Sequence, residues 1–291
     1  MGNRCVCSDQ AGVAEVTKEL GTNFGPEDDG AGGDAKGVPR DDDGSVHYDG
    51  GVRYTGQWLG EMRHGFGLLE REGSCYEGQF QNNMAHGSGR LVCGGDTYDG
   101  EWREDKAHGF GRHVQKDGPS YEGQWDSDLK HGYGVEQWPD GSRYEGSYHW
   151  NAKHGQGAFT WANGSSYIGA FEQNDIHGIG AYKWADGRSY AGQWQQNRLH
   201  GYGEMVWTDG RSYCGCYEED KKHGEGTFRW ADGRQYAGQW QDGRQHGTGK
   251  YLNASNQVRS GHWQNGQRVK WLGGEREPET DDGWLPRLGE G

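Results

Sequence analysis

No stretch of this 291-residue sequence approaches the ~20 consecutive apolar residues that a membrane-spanning helix requires. Its opening residues also lack the apolar core of a secretory signal, so the cytosol is the expected compartment. Cysteine is sparse: the six are Cys5, Cys7, Cys75, Cys93, Cys214 and Cys216, and none forms a Cys-x-x-Cys pair. Neither a zinc ribbon nor a disulfide framework is therefore indicated. A surplus of one charge sign is missing from most of the chain. The formal charge is −14, but residues 1–47 hold ten Asp and Glu against four Lys and Arg, residues 272–291 hold six against two, and the remainder 28 against 24. A nearly neutral middle argues against the basic stripe of a nucleic-acid binder. Also missing is any set of unlike groups that converge once, as a catalytic site demands. The nearest approach to a phosphate loop, Gly249-Lys250, is followed by Tyr251 where Ser or Thr is needed. No catalytic residue, metal ligand, cofactor or small-molecule substrate is assigned.

What the sequence has instead is repetition. Tyr190, Gly192 and Trp194, then His200, Gly201 and Gly203, then Trp207 recur at a step of 23 residues, shortening to 22 near the start. The leading position is Tyr54, Tyr76, Tyr98, Tyr121, Tyr144, Tyr167, Tyr190, Tyr213, Tyr236 and finally Arg259, where the aromatic is lost. His-Gly-x-Gly follows nine of these ten openings, from His64 to His246. A sustained period of this length specifies an array of small like units. It also accounts for 28 of the 56 glycines, which are structural punctuation and not linker.

Within a unit, Tyr190, Gly192 and Trp194 stand at alternate positions, so a strand places all three on one face and Ala191 and Gln193 on the other. Glycine between two large rings lets rings close over the gap. Asn or Asp then occupies the turn at positions 83, 105, 128, 151, 174, 197 and 220, and Gly243 the next. These residues tolerate a left-handed backbone, which predicts a hairpin. A second strand follows His-Gly-x-Gly, and Asp-Gly or Asn-Gly turns the chain into the next unit. Ten units pairing edge to edge at ~4.8 Å per strand would make a ribbon of about 95 Å. In that ribbon equivalent histidines lie ~9 to 10 Å apart, too far to share a zinc ion with ligands at ~2.0 to 2.1 Å. Each imidazole is expected to hydrogen-bond a turn or strand end.

Tyr-x-Gly-x-Trp, a polar turn, then His-Gly-x-Gly resembles the MORN repeat, the membrane occupation and recognition nexus motif, over residues 48–271. The resemblance implies an all-β fold, an elongated single-layer antiparallel sheet of stacked hairpins that often self-associates. Composition makes residues 1–47 before the array an expected disordered acidic segment, and residues 272–291 after it an expected flexible acidic tail. What the resemblance implies for function is broader, because the repeat occurs in cytoskeletal scaffolds, axonemal components, membrane-junction proteins and beside lipid kinases.

Three features bear on function directly. Removal of Met1 would expose Gly2 as an N-myristoylation acceptor, with Cys5 and Cys7 as palmitoylation candidates, although Val6 stands where Ser or Thr is usual. One myristoyl chain binds membranes only marginally, so a second acyl chain would be needed. Basic residues Arg63, Lys106, Lys130, Lys153, Arg198, Lys221, Lys222 and Arg244 precede the histidines and are candidates to line one edge and meet phosphoinositide headgroups. The face opposite the aromatics changes from Glu77, Gln79, Asp99 and Glu101 to Ile168, Ala170, Cys214 and Cys216, which makes the C-terminal half the expected partner or dimer surface. The leading reading is a non-catalytic scaffold tethering protein partners on the cytoplasmic side of a membrane. A phosphoinositide-binding or lipid-kinase-regulating module, and an axonemal or cortical structural component, are the alternatives.

Overall fold

A computed structural model describes residues 41–42 and 44–273. Twenty-one strands, from Val46–Tyr48 to Gln267–Leu272, and no helix make up its regular structure. They form one antiparallel sheet in which strands pair with their neighbours in sequence. The described residues divide into two compact units, one holding those up to Asn163 together with Phe171–Asn174, the other Gly164–Ala170 and those from Asp175. The predicted period of two strands per repeat holds in both. The segment 1–40, Gly2, Cys5 and Cys7 among it, and the tail from residue 274 lie outside the described residues.

One repeat shows why this sequence makes this sheet. Its first strand is Ser189–Gln195 and its second Arg198–Val206. Gly192 stands opposite Gly203 in its own hairpin and opposite Gly180 on the other side. Continued through the pairings, this gives an unbroken glycine row from Gly180 to Gly261. A second row runs from Gly56 to Gly157 in the other unit. The row is a furrow that the tyrosine rings fill. A Cβ added at Gly192 would stand 2.5 Å from both the Gly203 Cα and the Tyr190 hydroxyl, so no other residue fits. The Tyr190 hydroxyl donates to the Gln193 carbonyl at 2.9 Å, and all nine repeat tyrosines make the equivalent bond three residues on.

The rings then interlock from rung to rung. Tyr190 meets Trp194 edge-on at 5.1 Å and Tyr217 of the next repeat at 5.4 Å. Tyr213 does the same with Tyr217 at 5.1 Å and Trp240 at 5.2 Å. Phe80, Tyr148, Phe171 and Tyr217 take the tryptophan position where tryptophan is absent, and all four are buried. Edge-to-face pairs are worth about 0.5 to 1.5 kcal/mol each beyond their area. The core is therefore a ladder of rings against one face of the sheet.

The hairpin turn does two jobs. Gln196 and Asn197 both adopt left-handed backbone, with φ of 49° and 64°, the pattern of a type I′ turn. Asn197 also clamps the repeat before it: its N–H donates to the Ile176 carbonyl at 2.9 Å and its Oδ1 accepts from the Ile176 N–H at 2.7 Å. Asn83, Asp105, Asp128, Asn151, Asn174 and Asp220 make the same side-chain clamp. Gly243 and Gly266 keep only the backbone half. The array closes on Gln267–Leu272, where Trp271 packs 6.0 Å from Trp263 and under Arg268 at 4.3 Å.

Candidate functional site

The two faces of the sheet differ in chemistry, and the candidate basic residues divide between them. Lys106, Arg198, Lys221 and Arg244 are exposed at the hairpin turns. Arg198 lies 3.3 Å from Glu219 and Lys221 3.8 Å from Asp242, so this edge carries both signs. Arg63, Lys130, Lys153 and Lys222 are elsewhere, and the expectation of one basic edge is corrected for them. They occupy the position just before the histidine, whose side chain points into the aromatic face. Ala85, Ala107, Ile176 and Leu199 stand there in other repeats, all buried. The register decides this, because the preceding residue, as at Lys221, alternates to the other side.

Each of the four has a distinct environment. Arg63 is 1% exposed, donates to the Asn83 carbonyl at 2.7 Å and lies 5.6 to 6.0 Å from the rings of Tyr48, Tyr54 and Phe80. Lys130 pairs with Glu136, which also accepts from the Tyr148 hydroxyl at 2.8 Å. Lys153 sits over Trp138, Tyr144 and Phe159. Lys222 has four rings around its ammonium: Phe228 at 4.9 Å, Trp240 at 5.2 Å, Trp207 and Tyr213 at 5.4 Å. Burial, helped by the nearby Arg211 charge, pulls the Lys222 ammonium down to about 8. Burial likewise pushes the Tyr54 hydroxyl up to about 12 and the other ladder tyrosines further.

The residues that define the repeat are structural. Tyr190 and Trp194 are buried, Gly192 and Gly203 belong to the furrow, and Gly201 takes a φ of 58° that lets the strand bulge. That bulge exposes one N–H per repeat, which the glutamine between glycine and tryptophan accepts: Gln193 Oε1 takes the Tyr202 N–H at 2.7 Å. Gln57, Gln79, Glu101, Gln124 and Gln239 act alike. His200 is half-buried at the same bulge. His108 Nδ1 lies 3.5 Å from Asp126 and His223 Nδ1 3.3 Å from Glu218. At His64, His131, His154 and His246 the Nδ1 is buried without a partner. Among the described residues no group of His, Cys, Asp and Glu is arranged to hold a metal ion.

One motif escaped the sequence reading. Trp184, Trp207 and Trp230 each carry an arginine stacked on the ring, Arg188 at 5.2 Å, Arg211 at 5.6 Å and Arg234 at 5.5 Å. The same arginines bind Asp186, Asp209 and Asp232 at 2.7 Å. Trp-x-Asp-Gly-Arg in three successive repeats was the available signal.

The outward face is exposed and varies from repeat to repeat. Ile168, Ile179 and Tyr202 are 67%, 71% and 59% exposed, and Val206 is also exposed. Cys214 and Cys216 are free thiols on this face, with the Tyr202 hydroxyl 2.9 Å from Cys214 Sγ.

A sheet assembled from near-identical hairpins, with one face sealed by its own rings, defines a β-repeat protein. The MORN repeat family matches nine consecutive segments, 54–72, 76–96, 98–119, 121–143, 144–166, 167–187, 190–210, 213–233 and 236–258, and the chain belongs to that family. No match is found among curated proteins. Solved structures similar to the chain include the TCP domain of SAS-4 (dCPAP) from Drosophila melanogaster, in complex with a proline-rich motif of Ana2 (dSTIL). That likeness has 11% identity, covers 60% of this chain and 88% of that one, and gives a TM-score of 0.33. A mutant TCP10 domain of Danio rerio CPAP is similar at 10% identity, over 78% of this chain and 98% of that one, with a TM-score of 0.26.

Proposed function

We propose that the chain is a non-catalytic scaffold that tethers protein partners at a membrane or membrane-associated cytoskeleton, on the cytoplasmic side. The observation that carries this reading is the asymmetry of the sheet. One face is closed by the aromatic ladder and its buried cations, while the other is exposed and changes its side chains from repeat to repeat. A surface of repeated backbone and varied side chains suits the display of binding positions. Gly2, Cys5 and Cys7 supply the anchoring part of the proposal, since two acyl chains hold a membrane where one does not. Membrane fractionation of the full chain tests it. Wild type should pellet with membranes and Gly2→Ala should not; unchanged pelleting of the variant refutes the anchor. A full chain carrying charge reversals at Lys106, Arg198, Lys221 and Arg244 should pellet like wild type, because these cations share their edge with Glu219 and Asp242. Loss of pelleting in that chain would instead favour direct phosphoinositide binding.

A further inference from the structure

The outward face around Ile179, Tyr202 and Val206 leaves large apolar side chains exposed without a described neighbour to cover them. Ile168 adds to the same surface, and Ala181 and Ala191 between these strands are exposed too. Exposed apolar side chains grouped in this way, with Gln193 and Glu204 between them, mark an interaction site.

The sequence beyond the described residues offers an occupant with matching chemistry in matching order. Residues 275–282 hold Glu275, Glu277, Glu279, Asp281 and Asp282 against one Arg276, and Trp284, Leu285 and Leu288 follow, with Arg287 among them. The last described strand delivers this segment to the right place. Leu272 pairs with Ser260, and the register continues through Lys250, Ala237, Thr227, Cys214, Glu204, Ala191 and Ala181. That row leads across the outward face to the exposed apolar residues. Lys250 on the row and Arg229 beside it are exposed and form no ion pair among the described residues. They would meet the acidic half of the segment. Glu204, flanked by Tyr202 and Val206, would meet Arg287.

The distances fit as well. Tyr202 lies six strands from the exit strand, ~29 Å at ~4.8 Å per strand. The eleven residues from Gly273 to Trp284 span up to ~36 Å when extended. Ile179 lies eight strands away, ~38 Å, within the ~50 Å that Leu288 can reach.

We propose that the outward face around Ile179, Tyr202 and Val206 is the docking site of the chain's own segment 275–288. Its acidic half crosses Lys250 and Arg229, and Trp284, Leu285 and Leu288 cover the apolar side chains. Bound there, the segment occupies the face on which an external partner would compete, which makes it a built-in competitor for that surface.

Cys214 and Cys216 report on the site without added probes, because they lie on the crossing path, and Cys75 serves as internal control. The experiment measures their alkylation by N-ethylmaleimide in the full chain, site by site by peptide mass spectrometry. In a Trp284→Ala, Leu285→Ala, Leu288→Ala variant, Cys214 and Cys216 should react about tenfold faster, the equivalent of a contact worth ~1.4 kcal/mol. Cys75 should not change. Ile179→Asp, at an exposed position, should accelerate the same thiols in the wild-type background and add nothing in the triple variant. Equal rates in wild type and triple variant would overturn the proposal. So would protection that grows with protein concentration, since it would assign the face to a second copy of the chain.

Discussion

Replacing Lys222 by leucine should stabilise the protein at neutral pH. The side chain stands where Leu199 and Ile176 stand in the preceding repeats, both buried against the same ladder. Its ammonium is held at about 8 against 10.5 for a free lysine, and at 1.36 kcal/mol per pH unit that gap corresponds to roughly 3 kcal/mol opposing the charge. Attraction by the four rings, at about 0.5 to 2 kcal/mol, offsets part of that gap and leaves the rest opposing the charge. Allowing for imperfect leucine packing, Lys222→Leu should gain about 1 to 2 kcal/mol at pH 7. The pH dependence gives the sharper test. Because the folded value lies below the unfolded one, the lysine weakens the fold most below pH 8, and the penalty fades as the pH rises from about 8 to 10.5. Urea unfolding followed by circular dichroism, with both proteins at about pH 7 and about pH 9.5, should show the advantage of Lys222→Leu shrinking. A variant less stable than wild type at pH 7, or an advantage unchanged across the two conditions, would refute the argument that burial and not pairing governs this residue.

Gly192→Ala should destabilise by about 3 kcal/mol or more, since the new methyl meets the Gly203 backbone and the Tyr190 ring at 2.5 Å and neither can withdraw; Ala191→Val on the exposed face should shift the urea midpoint little. Asn197→Gly keeps the left-handed turn but loses the bond to the Ile176 N–H, at about 1 kcal/mol, whereas Asn197→Val loses both and should cost about 2 to 3. Alkali should unfold the array steeply. The ladder tyrosines are held above the ordinary value of 10.0, so the unfolded chain releases protons first, and stability intact below pH 10 falls as the pH climbs beyond it. Phenolate absorbance rising together with loss of the circular dichroism signal would meet this expectation; tyrosines ionising near pH 10 in the folded protein would contradict it.

Most of the fold was legible because the period is short and each position has one job. Alternation of Tyr190, Gly192 and Trp194 places three side chains on one face, and the Asn or Asp at the turn demands a left-handed backbone. What alternation could not show was the second role of that turn residue. The clamp from Asn197 to Ile176 spans 21 positions, and only the register of adjacent repeats brings them together. The basic residues were misplaced for a related reason. Lys221 and Lys222 are adjacent in sequence, yet a strand sends them to opposite faces, one to Asp242 and one among four rings. Their common charge suggested a common edge, but the step of one residue decides.

The exposed N–H of the bulge shows where sequence variation changes what the outward face can do. Five glutamines and Glu101 accept that N–H and so close their repeat to outside hydrogen bonding. Ser147, Ala170 and Cys216 stand at the same position with side chains too short to copy the glutamine, in the repeats of Gln156, Ile179 and Glu225. A donor left open in this way can be met by water or by the backbone of an incoming chain. Two of those three repeats border the exposed apolar residues, Ala170 beside Ile179 and Cys216 opposite Tyr202. Apolar surface and repeats without the glutamine bond therefore coincide on this stretch of the sheet. Restoring glutamine should separate the two contributions: Ala170→Gln closes the donor at Ile179 while leaving its side chain exposed. If binding at this face draws on main-chain hydrogen bonds, that single change should weaken it while leaving urea stability at or above wild type. If binding is unaffected, side chains alone carry the recognition.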